Sequence, residues 1–556
     1  MAFAPTHHKS NSPLLANLSL LFLLSFFPAV HPYSPQDASC QGLEDLEDHQ
    51  ARCSYLQTHD PCSPWGYINY LRVFYCILAE HPLVGYLLLF LWLLLLFYLL
   101  GNTASRYFCS SLENLSRVLR LPPTIAGVTL LPLGNGAADV FASLVSFAGS
   151  GVSEVGLSSV LGSAFFISTV VVGIISIGVG SRAVVIDRSS FIRDICFLVA
   201  ALCSLLAFLI AGRTRAWCSM CFVSLYIVYI LTVWIGLCCG EKPGELAMPL
   251  LDSIEVVQDP VEDNTKETSE HDRVDHDDKS SCFKLKRSVL CCIHGLIFLV
   301  QMPLCLPRRL TIPDVSEERW SKPFAVAAAV FAPLLLATLW NSRREEIGSD
   351  EWLTIYLCGG LVGMVLGIIA AETAERHSPP RKGLLLWLAG GFLMSVIWAY
   401  MIATELVALL VSIGYILGIR PLVLGLTVLA WGNSLGDLIA NVAIAVNGGS
   451  DGVQIAISGC YAGPLFNILF GLGLSLVLAS WASHPSPFVI PRDPSLFETI
   501  GFLVGGLLWA LAMLPKRGMQ LDRVFGTGLL VIYLCFLCLR LSESLGLLQL
   551  GSLLNL

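Results

Sequence analysis

Long apolar runs alternate with short polar connections along most of this chain. Twelve runs follow residue 82, and most reach the roughly 20 residues that an α-helix needs to cross a bilayer. They lie at about 83–118, 122–147, 153–180, 191–212, 216–239, 323–340, 352–371, 384–418, 421–446, 452–482, 498–514 and 524–545. The pattern predicts an all-α polytopic membrane protein. Composition agrees, because only 13% of the residues are charged, against about 25% in soluble domains.

The N-terminal part differs from the rest. An apolar run at about 14–30 resembles a secretory signal peptide within 1–30, and an uncleaved extra helix is the alternative. The polar segment 31–82 follows, with four cysteines: Cys40, Cys53, Cys62 and Cys76. After a signal sequence, such a cluster favours disulfides in a lumenal or extracellular compartment, and free thiols in a reducing compartment are the alternative. Spacing leaves the pairing open.

A polar loop, 240–322, separates the fifth apolar run from the sixth. Its acidic, histidine-containing stretch 270–278 is either a divalent-cation sensor or, as such runs more often are, a solvated linker. The shorter apolar patch 289–306 contains Pro303 and is interpreted as an interfacial helix. Basic residues concentrate on the side of this loop, which predicts a cytosolic loop and an external Cys-rich segment. No basic cluster indicates a nucleic-acid partner.

An internal repeat relates the two halves. A shift of 298 residues aligns Gly134-Asn135 with Gly432-Asn433 and Asp139 with Asp437. The aligned motif regions, 122–168 and 421–468, belong to two five-helix repeats, 83–239 and 384–545, which are joined by two linking helices at 323–371. Seven spans precede the second repeat, so it starts on the opposite side and the repeats are inverted. The chain then has 12 transmembrane helices, or 13 if the N-terminal run is an uncleaved helix. Inverted repeats typically build a site near the membrane midplane.

The repeated motif places carboxylates inside apolar runs, where they are costly and call for a function. Asn135 and Asp139 are four residues apart, as are Asn433 and Asp437, so each pair shares a helix face. These faces offer oxygen ligands only, which hard cations such as Ca²⁺, Na⁺ and K⁺ prefer. No Cys or His enters the motif, which argues against a dedicated Zn²⁺ site.

Further candidate residues surround the acids. Gly136 and the other motif glycines allow a loosened backbone at membrane depth, and close helix packing is the alternative. One helix later in each repeat, Ser163 and Asn467 are candidate ligands, although a small residue such as Ser163 also suits helix packing. Two acids give the cavity a charge of −2, which one Ca²⁺ or two monovalent ions, protons included, would neutralise. Competition for such a site predicts antiport.

Two other classes remain as alternatives. An intramembrane aspartyl protease also uses two Asp residues, but its Tyr-Asp and Gly-x-Gly-Asp signatures differ from the motifs here, where Ala138 and Gly436 precede the acids. A passive cation channel would use the same ligands. An inverted repeat favours alternating access over a channel.

These motifs resemble those of the Ca²⁺/cation antiporter superfamily. The forms Gly-Asn-Gly-Ala-Ala-Asp and Gly-Asn-Ser-Leu-Gly-Asp resemble its cation/calcium exchanger branch, which includes plant exchangers and is similar to the mitochondrial sodium/calcium exchanger. The resemblance implies a ten-helix antiporter core that carries Ca²⁺, Na⁺, K⁺ or H⁺ as substrates in a lipid bilayer, without a cofactor. By motif position it implies cation contacts at Asp139, Asp437, Asn135, Asn433, Gly136, Ser434, Ser163 and Asn467. In the helix after the acids the motif alignment uses a shift of 300 residues, and the first-repeat position that matches Asn467 is then Ile167.

The membrane of residence is predicted from the N-terminus alone. A signal-like run without an Arg-rich amphipathic presequence favours the plasma membrane or an endomembrane, such as the vacuole or endoplasmic reticulum, over the mitochondrion. The oligomeric state is left open by the sequence.

Overall fold

The computed structural model covers the apolar core and part of the polar N-terminal segment. It describes residues 46, 49–58, 66–111, 114, 132–134, 136–148, 153–180, 184–239, 305–316, 319–342, 350–376, 378–380 and 383–544. Several features predicted above lie outside the described residues, among them the run 14–30, Cys40, Cys62 and the stretch 270–278. The patch 289–306 is described only at its last two residues, which begin a helical segment at 305–311.

The described part of the chain is almost entirely helical. In chain order its helices are α1 (His49–Thr58), α2 (Tyr70–Arg72, continued by Val73–Ile77), α3 (Pro82–Cys109), α4 (Ala137–Ala148), α5 (Ser153–Val179), α6 (Arg188–Ala211), α7 (Ala216–Cys239), α8 (Lys322–Ser342), α9 (Asp350–Thr373), α10 (Leu384–Leu417), α11 (Pro421–Asn447), α12 (Gly449–Ala482), α13 (Pro494–Lys516) and α14 (Arg523–Ser544). Two short strands, β1 (Arg213–Thr214) and β2 (Phe488–Val489), complete it.

The predicted all-α membrane fold is confirmed. Among the described residues, 11 helices are long and apolar enough to span a membrane, and α4 is a shorter apolar helix. These twelve helices correspond to the twelve apolar runs, with most ends shifted by a few residues. The main difference is α4, which begins at Ala137 because the chain makes a turn at Gly136 inside the predicted run.

Local sequence signals set several helix ends. The Asp187 side chain accepts a hydrogen bond from the Ser190 backbone N–H at 2.8 Å and caps α6. Asp493 caps α13 in the same way through Ser495, also at 2.8 Å. Such caps pair backbone donors that have no partner within the helix. Gly212, at φ 66°, ends α6 in the left-handed conformation that glycine adopts without a steric penalty.

The helices of the two repeats pack against each other in exchanged pairs. Helix α4 contacts α10, and α11 contacts α3; likewise α5 contacts α14, and α12 contacts α7. The second helix of each repeat thus contacts the first helix of the other repeat, and the third helix of each contacts the fifth helix of the other. Helix α5 is the most deeply buried span, and α10 and α12 follow it equally. The third helix of each repeat, α5 or α12, is surrounded by helices of both repeats. The repeats are therefore interleaved, and the core lies between them.

The connections between helices show the same exchange. Strand β1, between α6 and α7, pairs antiparallel with β2, between α12 and α13. Val185, between α5 and α6, bridges to Gln520, between α13 and α14. Six described helices (α7 to α12) separate the first pair, and eight (α6 to α13) separate the second. An even number of membrane crossings returns the chain to the face from which it started. The two members of each pair therefore lie at the same membrane face, as the inverted topology requires.

The Cys-rich segment packs onto this core. A disulfide joins Cys53 to Cys76, which resolves part of the pairing that the sequence left open. The Tyr70 hydroxyl donates to the Glu405 carboxylate of α10 at 2.5 Å, and the Trp92 indole of α3 donates to the Tyr70 oxygen at 2.9 Å. The segment is thus attached to the first helix of each repeat.

Candidate cation site

The two repeated motifs meet in the core but differ in local structure. In the first repeat, Gly136 lies in a turn and α4 begins immediately after it, so Asp139 is in the first turn of a helix. In the second repeat, the motif 432–437 runs without interruption through α11. Both acids are buried: Asp139 is 2% exposed and Asp437 is 7% exposed.

Three side chains donate hydrogen bonds to the Asp139 carboxylate. The Ser163 hydroxyl of α5 donates to Oδ1 at 2.8 Å, and Asn433 Nδ2 of α11 donates to the same oxygen at 3.0 Å. Asn467 Nδ2 of α12 donates to Oδ2 at 2.8 Å. Two of the three donors belong to the opposite repeat. The interleaving of the repeats therefore assembles this cluster from positions that lie far apart in the chain.

Asp437 has a different environment. Within the described part of the chain, its carboxylate accepts no side-chain hydrogen bond, while its backbone carbonyl accepts one from Asn441 Nδ2 at 2.9 Å. Asn433, which donates to Asp139, lies one helical turn before Asp437 on α11, so Asp437 lies in the same region as Asp139. The two acids thus concentrate negative charge in one buried region, and only one of them is held by neighbouring side chains.

Several buried oxygens near the acids have no hydrogen-bond partner. They are Asn433 Oδ1, Asn467 Oδ1 and Ser434 Oγ. Leaving such an atom unpaired costs on the order of 1–3 kcal/mol, so these atoms call for an explanation. An oxygen-binding cation would satisfy them, and the donor set of amide, hydroxyl and carboxylate oxygens suits a hard cation. Among the described residues, no group of three or more His, Cys, Asp or Glu forms an alternative metal cluster.

Glycines allow the helices around the site to approach closely. A Cβ atom on Gly136 would collide with Asn467 Oδ1, and one on Gly162 would meet Ala430 Cβ at 2.8 Å. A Cβ on Gly425 would lie 3.0 Å from the Val155 carbonyl oxygen. For these three positions, the close-packing interpretation of glycine applies.

The backbone is also loosened near the site. Helices α5, α11 and α12 each contain a π-helical turn, at Phe166–Val171, Gly425–Leu429 and Asn467–Leu472 respectively. Such turns are frequent at functional sites. The turn in α12 begins at Asn467 itself, so this donor stands where the regular helical bonding changes.

The predicted residues fall into distinct groups. Four are brought together around one carboxylate: Asp139, Ser163, Asn433 and Asn467. Asp437 lies nearby, Ser434 is buried without a partner, and Gly136 packs against Asn467. Asn135 lies outside the described residues, and Ile167 is buried and apolar, as its side chain requires.

Two groups were not singled out from the sequence. The Ser159 hydroxyl lies 3.5 Å from Asn433 Nδ2, and the Ala430 carbonyl accepts a second contact from Ser163 at 3.2 Å. Ser159 lies one helical turn before Ser163 and so shares its helix face, and this spacing could have identified it from the sequence. A backbone carbonyl has no sequence signal.

Comparison with known proteins finds relatives that match nearly the whole chain. The family model described as sodium/calcium exchanger protein matches residues 89–235 and 387–542. Cation/calcium exchanger 1 of Arabidopsis thaliana is 50% identical over 526 residues, which cover 92% of this chain and 90% of that protein. The mitochondrial sodium/calcium exchanger protein of Homo sapiens is 31% identical over 537 residues, which cover 90% and 89% respectively.

A solved H⁺/Ca²⁺ exchanger structure has a TM-score of 0.42 at 12% identity, over 82% of this chain and 85% of that chain. The two long sequence matches and the family model cover both repeats and hence the whole candidate site. The chain belongs to the sodium/calcium exchanger protein family, and it is accordingly a secondary transporter rather than an enzyme.

Proposed function

We propose that this chain exchanges cations across a membrane by antiport, with Asp139 and Asp437 as its ion-binding acids. The observation that carries the proposal is the Asp139 carboxylate, which is bonded by side chains of both repeats at the buried centre of the fold. Its relatives are named cation/calcium and sodium/calcium exchangers. These names favour Ca²⁺ as one substrate and a monovalent cation as the other.

The amide side chains can serve the site in two orientations. In the observed arrangement Asn433 and Asn467 donate N–H groups to Asp139, and their carbonyl oxygens are unpaired. A half-turn of each amide exchanges its nitrogen and oxygen. The carbonyl oxygens would then face a cation held by the carboxylate. Ligands for the cation and donors for the carboxylate thus come from the same residues.

Charge explains why transport would be an exchange. The two acids give the site a formal charge of −2, and moving uncompensated charge through the low-dielectric centre of a membrane is costly. One Ca²⁺ or two monovalent ions remove that charge and permit the change of access. The two kinds of cargo compete for the same oxygens, so one leaves when the other binds.

Flux measurements on the full chain reconstituted in vesicles test the proposal. Ca²⁺ uptake is followed with Na⁺, K⁺ and proton gradients imposed one at a time. We expect uptake that requires a counter-ion, its loss in Asp139→Asn and Asp437→Asn, and normal uptake in the exposed control Asp451→Asn. Unchanged exchange in both acid variants would refute the site, and uptake without any counter-ion would indicate a passive channel.

The membrane of residence and the N-terminal processing are part of the same proposal. We favour the plasma membrane or an endomembrane over the mitochondrion, with K⁺ among the candidate ions and 1–30 as a cleaved signal. Imaging of the C-terminally tagged chain with organelle markers tests the membrane of residence. N-terminal sequencing of the purified protein tests removal of the signal, because an intact Met1 would refute cleavage.

A further inference from the structure

A cleft of about 270 Å³ lies where the end of α3, the helical segment 305–311 and the start of α8 meet. It lies at the membrane face predicted to be cytosolic and involves none of the cation-site residues. Three of its lining residues are arginines, namely Arg106, Arg309 and Arg319, and one, Asp314, is acidic.

Among the described residues that line this cleft, basic side chains outnumber acidic ones. Arg319 is 3.4 Å from the Asp314 carboxylate and forms an ion pair with it. Arg106 and Arg309 take part in no ion pair or side-chain hydrogen bond within the described part of the chain. Glu317 and Glu318 lie outside the described residues. The described lining therefore carries three positive charges and one negative charge.

The arginines are placed to present N–H groups. The Arg309 guanidinium stacks over the Phe324 ring, 4.0 Å from its centroid. Stacking uses the face of the guanidinium and leaves its edge free to donate. The planar fork of arginine matches the oxygens of a phosphate group and binds it with two parallel hydrogen bonds.

The cleft also lies at the depth of lipid headgroups. Arg106 is in the last turn of the spanning helix α3, and Phe324 is in the first turn of α8. Trp320 makes an edge-to-face contact with Trp387, which is in the first turn of α10. Tryptophan is enriched at the interface between membrane and water. Three helix ends and this aromatic pair thus place the cleft at one membrane surface.

We propose that this cleft binds the phosphate group of an anionic membrane lipid. The small volume suits a headgroup whose acyl chains stay in the bilayer. The bound phosphate would join Arg106 of α3 to the connection that leads into α8, and so fasten the α8–α9 hairpin to the first repeat. Inorganic phosphate offers the same chemistry from solution, and the experiment separates the two sources.

The test uses the full-length chain in detergent. Short-chain phosphatidic acid is the probe, phosphatidylcholine is the neutral lipid control, and inorganic phosphate is the soluble competitor. Binding is measured by native mass spectrometry, and Tm is measured with and without lipid. The site variant is Arg106→Gln with Arg309→Gln. Its matched control is Arg213→Gln with Arg215→Gln, because these two arginines are also exposed but lie at the opposite membrane face.

We expect phosphatidic acid to bind the native chain and the 213/215 control equally, and to bind the site variant roughly tenfold more weakly or worse. Phosphatidic acid should raise the Tm of the native chain and should not raise that of the site variant. Equal weakening in the control would refute a specific site, and so would unchanged binding in the site variant. Displacement by equimolar inorganic phosphate would refute the lipid as the source. If the double variant does not fold, Arg309→Lys removes the fork and keeps the charge, and undiminished binding by that variant would refute the proposal.

Discussion

Asp139 and Asp437 occupy matching positions of the two repeats, yet the structure treats them differently. Asp139 follows a turn and accepts three side-chain hydrogen bonds, whereas Asp437 lies in an uninterrupted helix and accepts none at its carboxylate within the described residues. The partner Asn467 has its counterpart in the apolar Ile167. Matching sequence positions therefore need not have matching roles. We infer that Asp139 is the oriented acid of the site and that Asp437 mainly supplies charge.

The strongest test of this comparison replaces each acid with its amide. Both Asp139→Asn and Asp437→Asn should reduce exchange to background, because each removes one of the two charges that hold the cargo. Stability should separate them. Asp139→Asn places an N–H₂ group among three donors and should lower the free energy of unfolding by about 1–3 kcal/mol, whereas Asp437→Asn relieves repulsion between the acids. Vesicle flux and thermal unfolding measure both effects, and equal losses of stability would contradict the inferred asymmetry.

Substitution of the two motif glycines Gly136 and Gly436 should change exchange to different extents, and this is the next largest expected difference. Gly136→Ala would drive a methyl group into Asn467 Oδ1 and displace that donor from Asp139. Overpacking of this kind costs about 1–3 kcal/mol, and we expect exchange to fall roughly tenfold or more. The matched variant is Gly436→Ala, whose methyl group would meet nothing within 4 Å. It should exchange normally, and a similar loss in both variants would show that flexibility rather than packing is required.

A smaller effect is expected from Asn467 and from Ile167, its counterpart in the first repeat. Asn467→Ala removes one donor to Asp139 and one unpaired oxygen, so the apparent affinity for the transported cation should fall roughly tenfold. Ile167→Val, at the matching position of the first repeat, should leave the affinity unchanged. Cation titrations of exchange rate measure this difference. A comparable loss in the Ile167 variant would mean that the two positions act equivalently.

The smallest expected effect concerns the serines of α5. Ser163→Ala loses the 2.8 Å bond to Asp139, and the affinity should fall about threefold to tenfold, in line with a net bond worth about 0.5–1.5 kcal/mol. Ser159→Ala removes only the 3.5 Å contact with Asn433 and should be indistinguishable from the native chain. The same titrations compare them, and a larger loss at Ser159 would reverse the assignment.

Much of the molecule could be predicted from local patterns. The apolar runs identify the spanning helices because helix length is set by bilayer thickness. Asp139 and Asp437 are recognisable because a carboxylate inside such a run is rare and costly. Counting the spans between the repeats predicts their inverted relation, and the exchanged pairs of helices and connections agree with it.

Other features depend on long-range packing. The sequence could not indicate that Asn433 and Asn467 donate to Asp139, because these residues are brought together only when the repeats interleave. The Cys53–Cys76 pairing, the attachment of Tyr70 to Glu405 and the arginine cleft between α3 and α8 arise in the same way. In each case the contacts join segments whose separation along the chain carries no information about their distance in space.

The sequence by itself therefore determined the membrane-spanning architecture, the repeat and the two acids, because bilayer thickness and the cost of buried charge act on each segment separately. Only the tertiary structure decided which acid is held by neighbouring side chains. That outcome depends on how α5, α11 and α12 cross around Asp139, and on the presence of an amide at Asn467 where the first repeat has the apolar Ile167. The two motifs share their first Gly, their Asn and their Asp, and their acids become unequal because most of the donors to Asp139 come from the other half of the chain.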